Sequence, residues 1–327
     1  MLNAALGAVL VAVVFVAAPS GATGQGGCGS VCVPLEVLDP ERTQVLPKAF
    51  RFTFTTEYGD FDRFVEGDDP VTNRGGNKAI IHETALFVDY GASRRLTVSV
   101  LLPYIRKIQQ TRRFGERTAD GLGDIAVFGR YELLLANLGR GPSVSAGLGL
   151  KFPTGSIDEP GGDAATLPPP FQNGSGAYDV LPTISYYQGF SDLSLFGSSF
   201  LRLPLEHNEN GYKFGRELEV HFGVLYPLPM LDAVQLVLAM DHLNAGRDED
   251  SRMTLPAGIR DGMTVLNTGG VFTSVSPGVR WQVAPRVAMT ARVFLPVQEN
   301  WNGARSRNVG QVAPDFTGQF TMSYTMF

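Results

Sequence analysis

The twelve residues from Phe316 to Phe327 alternate between apolar and polar side chains and stop on an aromatic residue. Successive side chains of a β-strand point to opposite faces, so this pattern predicts a strand with one lipid-soluble face and one hydrated face. The apolar positions are Phe316, Phe320, Met322, Tyr324 and Met326. A half-apolar strand that finishes in Phe is typical of the strand that closes an outer-membrane barrel. We therefore expect barrel-assembly machinery and outer-membrane lipid as partners.

The other end of the sequence agrees with export. An apolar run from Ala4 to Ala18 is followed by small residues at 19–22, which predicts a signal peptide over 1–22, although the first three residues carry no Lys or Arg. After Ala18, no apolar run approaches the roughly 20 residues that a membrane helix needs. The remaining chain is therefore expected to be either soluble or a barrel.

Composition favours the barrel. The chain has 38 Gly and 21 Phe, and only 18% of its residues are charged. Its formal charge of −5 gives no electrostatic reason to expect nucleic acid as a partner. No cofactor-binding motif is seen, so no cofactor is expected.

Two cysteines, Cys28 and Cys32, lie just after the predicted cleavage site. In an oxidising periplasm such a pair predicts a small-loop disulfide; a lipid-modified Cys28 is the alternative, although Gln25-Gly26-Gly27 makes a poor lipobox. Two cysteines alone make a poor metal site, and no metal is expected. Residues 23–46 are interpreted as a periplasmic or plug segment, which leaves 47–327 for the barrel.

The rest of the chain reads as strand pairs joined by alternating short and long connections. Twelve strands are an even number, as single-chain bacterial barrels require, and short turns opposite long external loops place both termini in the periplasm. The fold class is therefore an all-β, transmembrane, antiparallel up-and-down barrel. The predicted strands are 48–58, 78–91, 94–105, 122–135, 141–153, 176–189, 191–204, 213–226, 231–244, 268–283, 285–298 and 314–327.

Residue parity assigns the two faces of each strand. For 94–105 the outward face is Leu96, Val98, Val100, Leu102 and Tyr104, and for 213–226 it is Phe214, Leu218, Val220, Phe222 and Val224. Charges facing lipid at mid-depth are costly, so charged residues are expected inside. They form either a salt-bridge network that braces the wall or a polar path for a permeant. The lumen-lining candidates are Glu83, Asp89, Asp124, Phe128, Arg130, Glu132, Lys151, Asp192, Phe196, Arg202, Glu217, Glu219, His221, Asp241, Arg280 and Arg292.

An enzyme is not expected. A rim hydrolase would need a nucleophile and a base, but His242 has no serine nearby in the sequence and no Gly-x-Ser-x-Gly elbow is present.

Several ordered segments together resemble the bacterial outer-membrane proteins grouped as a putative MetA pathway of phenol degradation. They include Gly121-Leu-Gly-Asp124, Phe152-Pro-Thr-Gly155 and Gly174-Ser-Gly…Asp179, with Leu266-Asn-Thr-Gly-Gly270 downstream. The resemblance covers about residues 95–327. It implies an outer-membrane barrel for uptake of small, often hydrophobic or aromatic compounds, and it carries no catalytic residue set.

Asp124 and Asp179 match recurring family positions. Both stand where a predicted strand begins near the outer rim, and we expect their carboxylates to bind turn amides there. The functional alternatives at this stage are a channel for small permeants and a plugged structural or assembly barrel.

Overall fold

The computed structural model describes residues 45–135, 141–161, 166–231, 233–255, 259–303 and 310–327. The predicted signal peptide, the pair Cys28 and Cys32, and nearly all of the 23–46 segment lie outside these residues, so their predictions stay predictions. Of Phe316, only the backbone is described. Among the described residues, no helix has the length and apolar character needed to cross a bilayer.

The fold is a closed barrel of twelve antiparallel strands. Each strand pairs with its neighbour in the sequence, and the last pairs with the first, for example Phe54 with Met322. The fold class, the strand number and the antiparallel up-and-down order predicted from the sequence are confirmed. The strands are β1 Phe50–Phe61, β2 Lys78–Gly91, β3 Leu96–Thr111, β4 in two segments Gly115–Leu122 and Ala126–Leu134, β5 Gly141–Lys151, β6 Asp179–Gly189, β7 Ser194–Pro204, β8 Glu217–Pro227, β9 Val234–Ala245, β10 Gly270–Ala284, β11 Val287–Trp301 and β12 Phe316–Met326.

One predicted long loop, 106–121, is mostly strand, and this prediction was wrong. β3 continues to Thr111, and 115–122 pairs with it as the outer segment of β4. The sequence there is polar because the outward side chains of this hairpin lie beyond the apolar part of the wall, whereas Lys107 and Ala119 remain buried on the inward face. The two segments of β4 are separated by residues 123–125, so the wall changes its register at Asp124.

The alternation of faces is strict in the middle of the strands. Thr97, Ser99 and Leu101 of β3 are buried, whereas Leu96 and Val98 are exposed. The outward side chains include some of the most exposed apolar residues, among them Leu148 (60%) and Leu238 (52%). Exposure of this kind, repeated around a closed wall, is what a hydrocarbon solvent requires.

Two details at strand ends differ from the sequence interpretation. Phe214, which parity placed on the outward face, precedes β8 and is buried against Tyr212. Phe327 follows the end of β12 and is exposed, with the Arg286 guanidinium 5.0 Å from its ring centroid.

Apolar side chains form one buried cluster on the inner wall. Its large members are Phe87 on β2, Leu101 on β3, Phe128 on β4, Leu181 on β6 and Phe200 on β7. Many buried hydroxyl and charged side chains line β9 to β12 and β1, and charged side chains are also buried on β2 to β7. The inner wall therefore combines an apolar cluster with charged and hydroxyl groups.

Short elements close the outer end. Arg63–Glu66 pairs with Asp69–Pro70 and with Gln311–Ala313 to form a three-stranded sheet. A second, four-stranded sheet contains Tyr212–Lys213, Glu249–Asp250, Thr264–Val265 and Arg260–Asp261, and a short 3₁₀ helix spans Pro169–Phe171.

Candidate functional site: the barrel interior and outer mouth

A charged cluster lies where β4, β5 and β6 reach the outer side. The Lys151 ammonium is 2.9 Å from Asp124 Oδ2 and 2.9 Å from Asp179 Oδ2, and all three side chains are at most 2% exposed. Lys151 and Asp179 meet because they are directly opposite in the β5–β6 register. Asp124 joins them from the break between the two segments of β4.

Asp124 also holds the connection between β5 and β6. Its Oδ1 accepts a hydrogen bond from the Gly155 amide at 2.9 Å, and its Oδ2 accepts one from the Ser175 amide at 2.9 Å. The expected binding of turn amides by Asp124 is therefore present. The same carboxylate also forms the buried ion pair with Lys151, which the sequence interpretation did not foresee.

The connection from 166 to 178 folds into the barrel. Lys107 Nζ on β3 donates hydrogen bonds to the carbonyls of Pro170 (3.0 Å) and Gln172 (2.7 Å). Asn208 Nδ2 donates to Ser175 O at 2.9 Å from the other side. Leu167, Gln172, Asn173, Ser175 and Ala177 are all buried. We call residues 166–178 the inward loop.

A second set of ion pairs continues along β7 and β8. Arg202 Nη2 donates to Glu217 Oε1 at 2.9 Å, and the two residues are paired in register. Arg202 Nε is 3.8 Å from Asp179 Oδ2, so this set is continuous with the Lys151 cluster.

On the inward face of β9, Asp241 is the centre of a network. Arg292 Nη2 donates to Asp241 Oδ1 at 3.0 Å, Ser276 Oγ donates to Asp241 Oδ2 at 2.5 Å, and His221 Nδ1 is hydrogen-bonded to Asp241. His221 also lies against Phe196, with 5.1 Å between ring centroids.

Two further pairs lie nearer the short turns that join β2 to β3 and β4 to β5. Arg51 Nη2 is 2.5 Å from Asp89 Oδ2, and Ser99 Oγ donates to Asp89 Oδ1 at 2.5 Å. Arg130 Nε is 4.0 Å from Glu132 Oε1, and Ser143 Oγ donates to Glu132 Oε2 at 3.2 Å.

Most of the predicted lumen-lining candidates are inward and buried, and three are not fully buried. Asp192 is exposed in the turn between β6 and β7, while Glu219 and Arg280 are half-buried. Their proposed contact with a permeant stays a prediction. The buried candidates are Glu83, Asp89, Asp124, Phe128, Arg130, Glu132, Lys151, Phe196, Arg202, Glu217, His221, Asp241 and Arg292.

The sequence interpretation missed Lys107 and the inward loop. Lys107 shares the inward parity of Thr97 and Ser99. Extending the alternation of β3 by two residues beyond the predicted end at 105 would therefore have identified it. The inward loop has no comparable signal, because Pro168-Pro-Pro170 reads as external loop.

An apolar cavity of about 480 Å³ lies at the outer mouth. Its walls come from β1 and β2, the inward loop and the two small outer sheets. They are mainly apolar, with Lys78, Gln109 and Asn267 at the margin. The apolar lining includes Phe61, Phe64, Ile81, Phe171, Val265 and Val312.

A second cavity of about 370 Å³ adjoins the first, and both are bounded by Pro168, Pro169 and Leu255. The second cavity is more polar, with Asn208, Asn210 and Arg252 among its lining residues.

The outer sheet carrying Tyr212 is tied down by Asp248. Tyr212 Oη donates to Asp248 Oδ2 at 2.5 Å, and the Gly215 amide donates to Asp248 Oδ1 at 2.7 Å. Burial raises the pKa of Asp248 to about 6, while these two hydrogen bonds and the charge of Arg202 act in the opposite direction. Burial, with the nearby Asp248 charge, raises the pKa of Tyr212 well above its usual value.

Among the described residues, no serine hydroxyl is hydrogen-bonded to a histidine ring. His242 Nδ1 is hydrogen-bonded to Thr273 Oγ1 at 2.9 Å. Ser276 lies near the His221–Asp241 pair, but its hydroxyl binds the Asp241 carboxylate and Arg292, whereas a nucleophile must reach the imidazole. Among the described residues, no group of three His, Cys, Asp or Glu side chains is placed to hold a metal ion.

No family model and no curated protein matches the chain, so the resemblance to the phenol-degradation group stays a prediction. Solved structures do match. An outer membrane channel from Pseudomonas putida F1 is 13% identical, with a TM-score of 0.65 over 87% of this chain and 98% of that chain. The CymD monoaromatic hydrocarbon channel is 10% identical, with a TM-score of 0.44 over 93% of this chain and 97% of that chain. At these identities, the first match shows a shared barrel fold, and the second is too distant to support an argument.

Proposed function

We propose that this protein is an outer-membrane channel that admits small hydrophobic or aromatic compounds through the apolar cavity at its outer mouth. The observation that carries the proposal is this cavity of about 480 Å³, set above a barrel interior that is lined in part by polar side chains. Pockets with mainly apolar walls and a few polar groups are the usual form of small-molecule sites. The volume lies within the range of small-molecule pockets and is large enough for an aromatic ring.

Three further observations support a membrane channel. The outward side chains are apolar around the closed wall, which fits hydrocarbon on the outside. The interior holds ion pairs and hydroxyl groups along β9 to β12 and β1, which fits a hydrated path. The Pseudomonas putida protein that shares the fold is an outer membrane channel. The orientation with short turns and both termini in the periplasm belongs to the same proposal.

The test is solute entry into proteoliposomes containing the purified barrel, measured by swelling with benzamide and with arabinose. We expect benzamide to enter faster than it enters protein-free liposomes. The variant Ile81→Trp fills the cavity and should slow benzamide entry several-fold. Its matched control is Ile80→Trp, because Ile80 has the opposite strand parity and does not line the cavity.

Equal entry through the wild type and Ile81→Trp would contradict a role for the cavity. No entry of either solute would contradict the channel itself.

A second candidate is a plugged barrel with a structural or assembly role. It is favoured by the inward loop, which Lys107, Asp124 and Asn208 hold inside the wall, and by the apolar cluster inside the barrel. A barrel that stays impermeable to benzamide, arabinose and KCl, even after Lys107→Met, would support this reading over the channel.

A further inference from the structure

The two cavities at the outer mouth are lined by charged residues of one sign. Lys78 is the charged residue in the lining of the larger cavity, and Arg252 is the charged residue in the lining of the smaller one. Among the described residues that line these cavities, no carboxylate side chain is present, although the whole chain carries a formal charge of −5. The charge that lines the mouth is therefore opposite in sign to the net charge of the chain.

The two cations differ in their partners. The Lys78 ammonium group is bound to the Asp62 carboxylate, so its charge is balanced. Arg252 is exposed, and it forms no hydrogen bond or ion pair within the described part of the chain. The guanidinium group of Arg252 is therefore available to a ligand.

The side chain of Arg252 is positioned by close contact with the backbone of Gly211. A Cβ atom at Gly211 would lie 2.5 Å from Arg252 Cγ and 3.0 Å from Arg252 Cδ, so the contact requires glycine. The Ser251 amide anchors the same place by donating a hydrogen bond to Gly211 O at 2.8 Å. Asn210, which precedes this glycine, lines the same cavity as Arg252.

The acidic residues that precede Arg252 in the sequence are engaged elsewhere. Asp250 is fully buried, and its Oδ2 accepts the Leu255 amide at 2.7 Å. A carboxylate oxygen of Glu249 is 3.2 Å from His207 Nε2. These carboxylates order the loop itself, and neither of them lines a cavity.

Most other polar side chains of the smaller cavity are also occupied. Gln172, Asn208 and Thr254 use their side chains to hydrogen-bond other parts of the protein. The side-chain amide of Asn210, in contrast, has no hydrogen-bond partner within the described residues. A ligand therefore meets one guanidinium group and one amide, and a guanidinium group binds a carboxylate through two parallel hydrogen bonds.

The positive group lies close to the apolar cavity. The two cavities meet at Pro168, Pro169 and Leu255. Leu255 is three residues from Arg252, so their Cα atoms are at most about 11 Å apart. The apolar and the positive environments are therefore neighbours on the scale of a small molecule.

We propose that Arg252 binds the carboxylate group of small aromatic acids while the adjoining apolar cavity holds their ring. The outer mouth then prefers aromatic carboxylates to neutral compounds of the same shape. A pocket with apolar walls and one charged group commonly orients its ligand in this way. The position of the ring rests on the proposed function, whereas the preference for charge is measured by binding, without transport.

The test is a ligand-observed proton NMR titration of the purified barrel in a neutral detergent at pH 7.5. The probes are benzoate and benzamide, which share a ring and nearly the same shape but differ in charge. We expect the wild type to bind benzoate more tightly than benzamide. Arg252→Gln should weaken benzoate binding by about threefold or more and leave benzamide binding unchanged. Ile81→Trp, which fills the apolar cavity, should weaken the binding of both probes.

The matched control is Arg113→Gln. Arg113 is also an exposed arginine, but it lies in the outer hairpin between β3 and β4 and lines neither cavity. This variant should keep the preference for benzoate. Equal affinities of the wild type for the two probes, or an equal loss in Arg252→Gln and Arg113→Gln, would overturn the proposal. A heat-dependent shift on unboiled gels verifies that each variant is folded.

Binding and transport can fail separately. A wild type that prefers benzoate in the titration but admits neither probe into proteoliposomes would keep the Arg252 site and contradict the channel function. A barrel that admits benzamide, but whose benzoate binding does not respond to Arg252→Gln, would keep the channel and overturn the site.

Discussion

Tyr212 and Asp248 join two outer loop segments through a 2.5 Å hydrogen bond that is closed off from water. Asp248 also accepts the Gly215 amide, so one carboxylate orders the backbone on both sides of Phe214. Both cavities draw part of their walls from this region, Tyr212 in the larger and Phe214 in the smaller. The pair therefore determines the shape of the outer mouth.

The stability of the outer loop region around Tyr212 and Asp248 should depend on pH. Burial raises the pKa of Asp248 from 3.8 to about 6, so the native state binds the proton more tightly than the unfolded loop does. Stability from this group is fully present below about pH 4 and falls by up to about 3 kcal/mol as the pH rises through 6. The measurement is hydrogen exchange of the Gly215 amide at pH 4.5 and 7.5, corrected for intrinsic rates. Asp248→Asn should remove the difference; a difference that persists would show that another group is responsible.

Lys151 should be essential for the stability of the barrel. Lys151→Met removes the buried ammonium group that pairs with both Asp124 and Asp179, which we expect to lower the free energy of unfolding by about 3–5 kcal/mol. Urea unfolding in detergent, followed by tryptophan fluorescence, measures the change. The control is Lys78→Met, which removes an exposed pair with Asp62 and should have no resolvable effect. Equal destabilisation by both variants would contradict the assigned importance of burial.

Lys107 should control the position of the inward loop. Lys107→Met removes the donor to the Pro170 and Gln172 carbonyls, so this loop should exchange its amide hydrogens about tenfold faster, as expected for the loss of roughly 1.4 kcal/mol. Hydrogen exchange over 166–178 is the measurement. Arg106→Gln alters the neighbouring side chain on the outward face and should not change the exchange. Unchanged exchange after Lys107→Met would show that Asp124 and Asn208 hold this loop without Lys107.

A charge introduced on the outward face should lower the stability of the barrel more when it lies deeper in the membrane. Leu238 is 52% exposed in the middle of β9, and Leu238→Lys should lower the free energy of unfolding by about 2–4 kcal/mol in a lipid bilayer. Tyr226→Lys, next to the C-terminal end of β8, should cost about 1 kcal/mol or less. Chemical unfolding in lipid vesicles compares the two. Equal costs at the two depths would contradict contact of this wall with hydrocarbon.

The alternation of side chains was sufficient to predict the barrel because one face of each strand meets lipid and the other does not. The prediction for β2, 78–91, coincides with the observed strand, and the inward parity of Glu83 and Asp89 is as expected. The method failed at 106–121, where the outward face is no longer apolar, although Lys107 and Ala119 keep the burial of the inward face.

The site was less predictable for a different reason. The Lys151–Asp124–Asp179 cluster joins residues of three strands with the inward loop, and its geometry depends on the register change at 123–125. Single-strand periodicity contains no information about register between strands. The two cavities likewise depend on how separate loops meet, and no local pattern encodes that meeting.

The pairing of β1 with β12, in which Phe54 lies beside Met322, gives the first and last strands a common seam. Before this seam forms, β1 pairs only with β2 and β12 pairs only with β11. Each of these two strands then has a row of backbone amides and carbonyls without hydrogen-bond partners, which hydrocarbon cannot supply. Synthesis of the chain is therefore not sufficient for folding, because the barrel is complete only when β1 and β12 have paired. A truncation that deletes β12 would leave a sheet with two unpaired edge strands, which is prone to aggregate instead of inserting into the membrane.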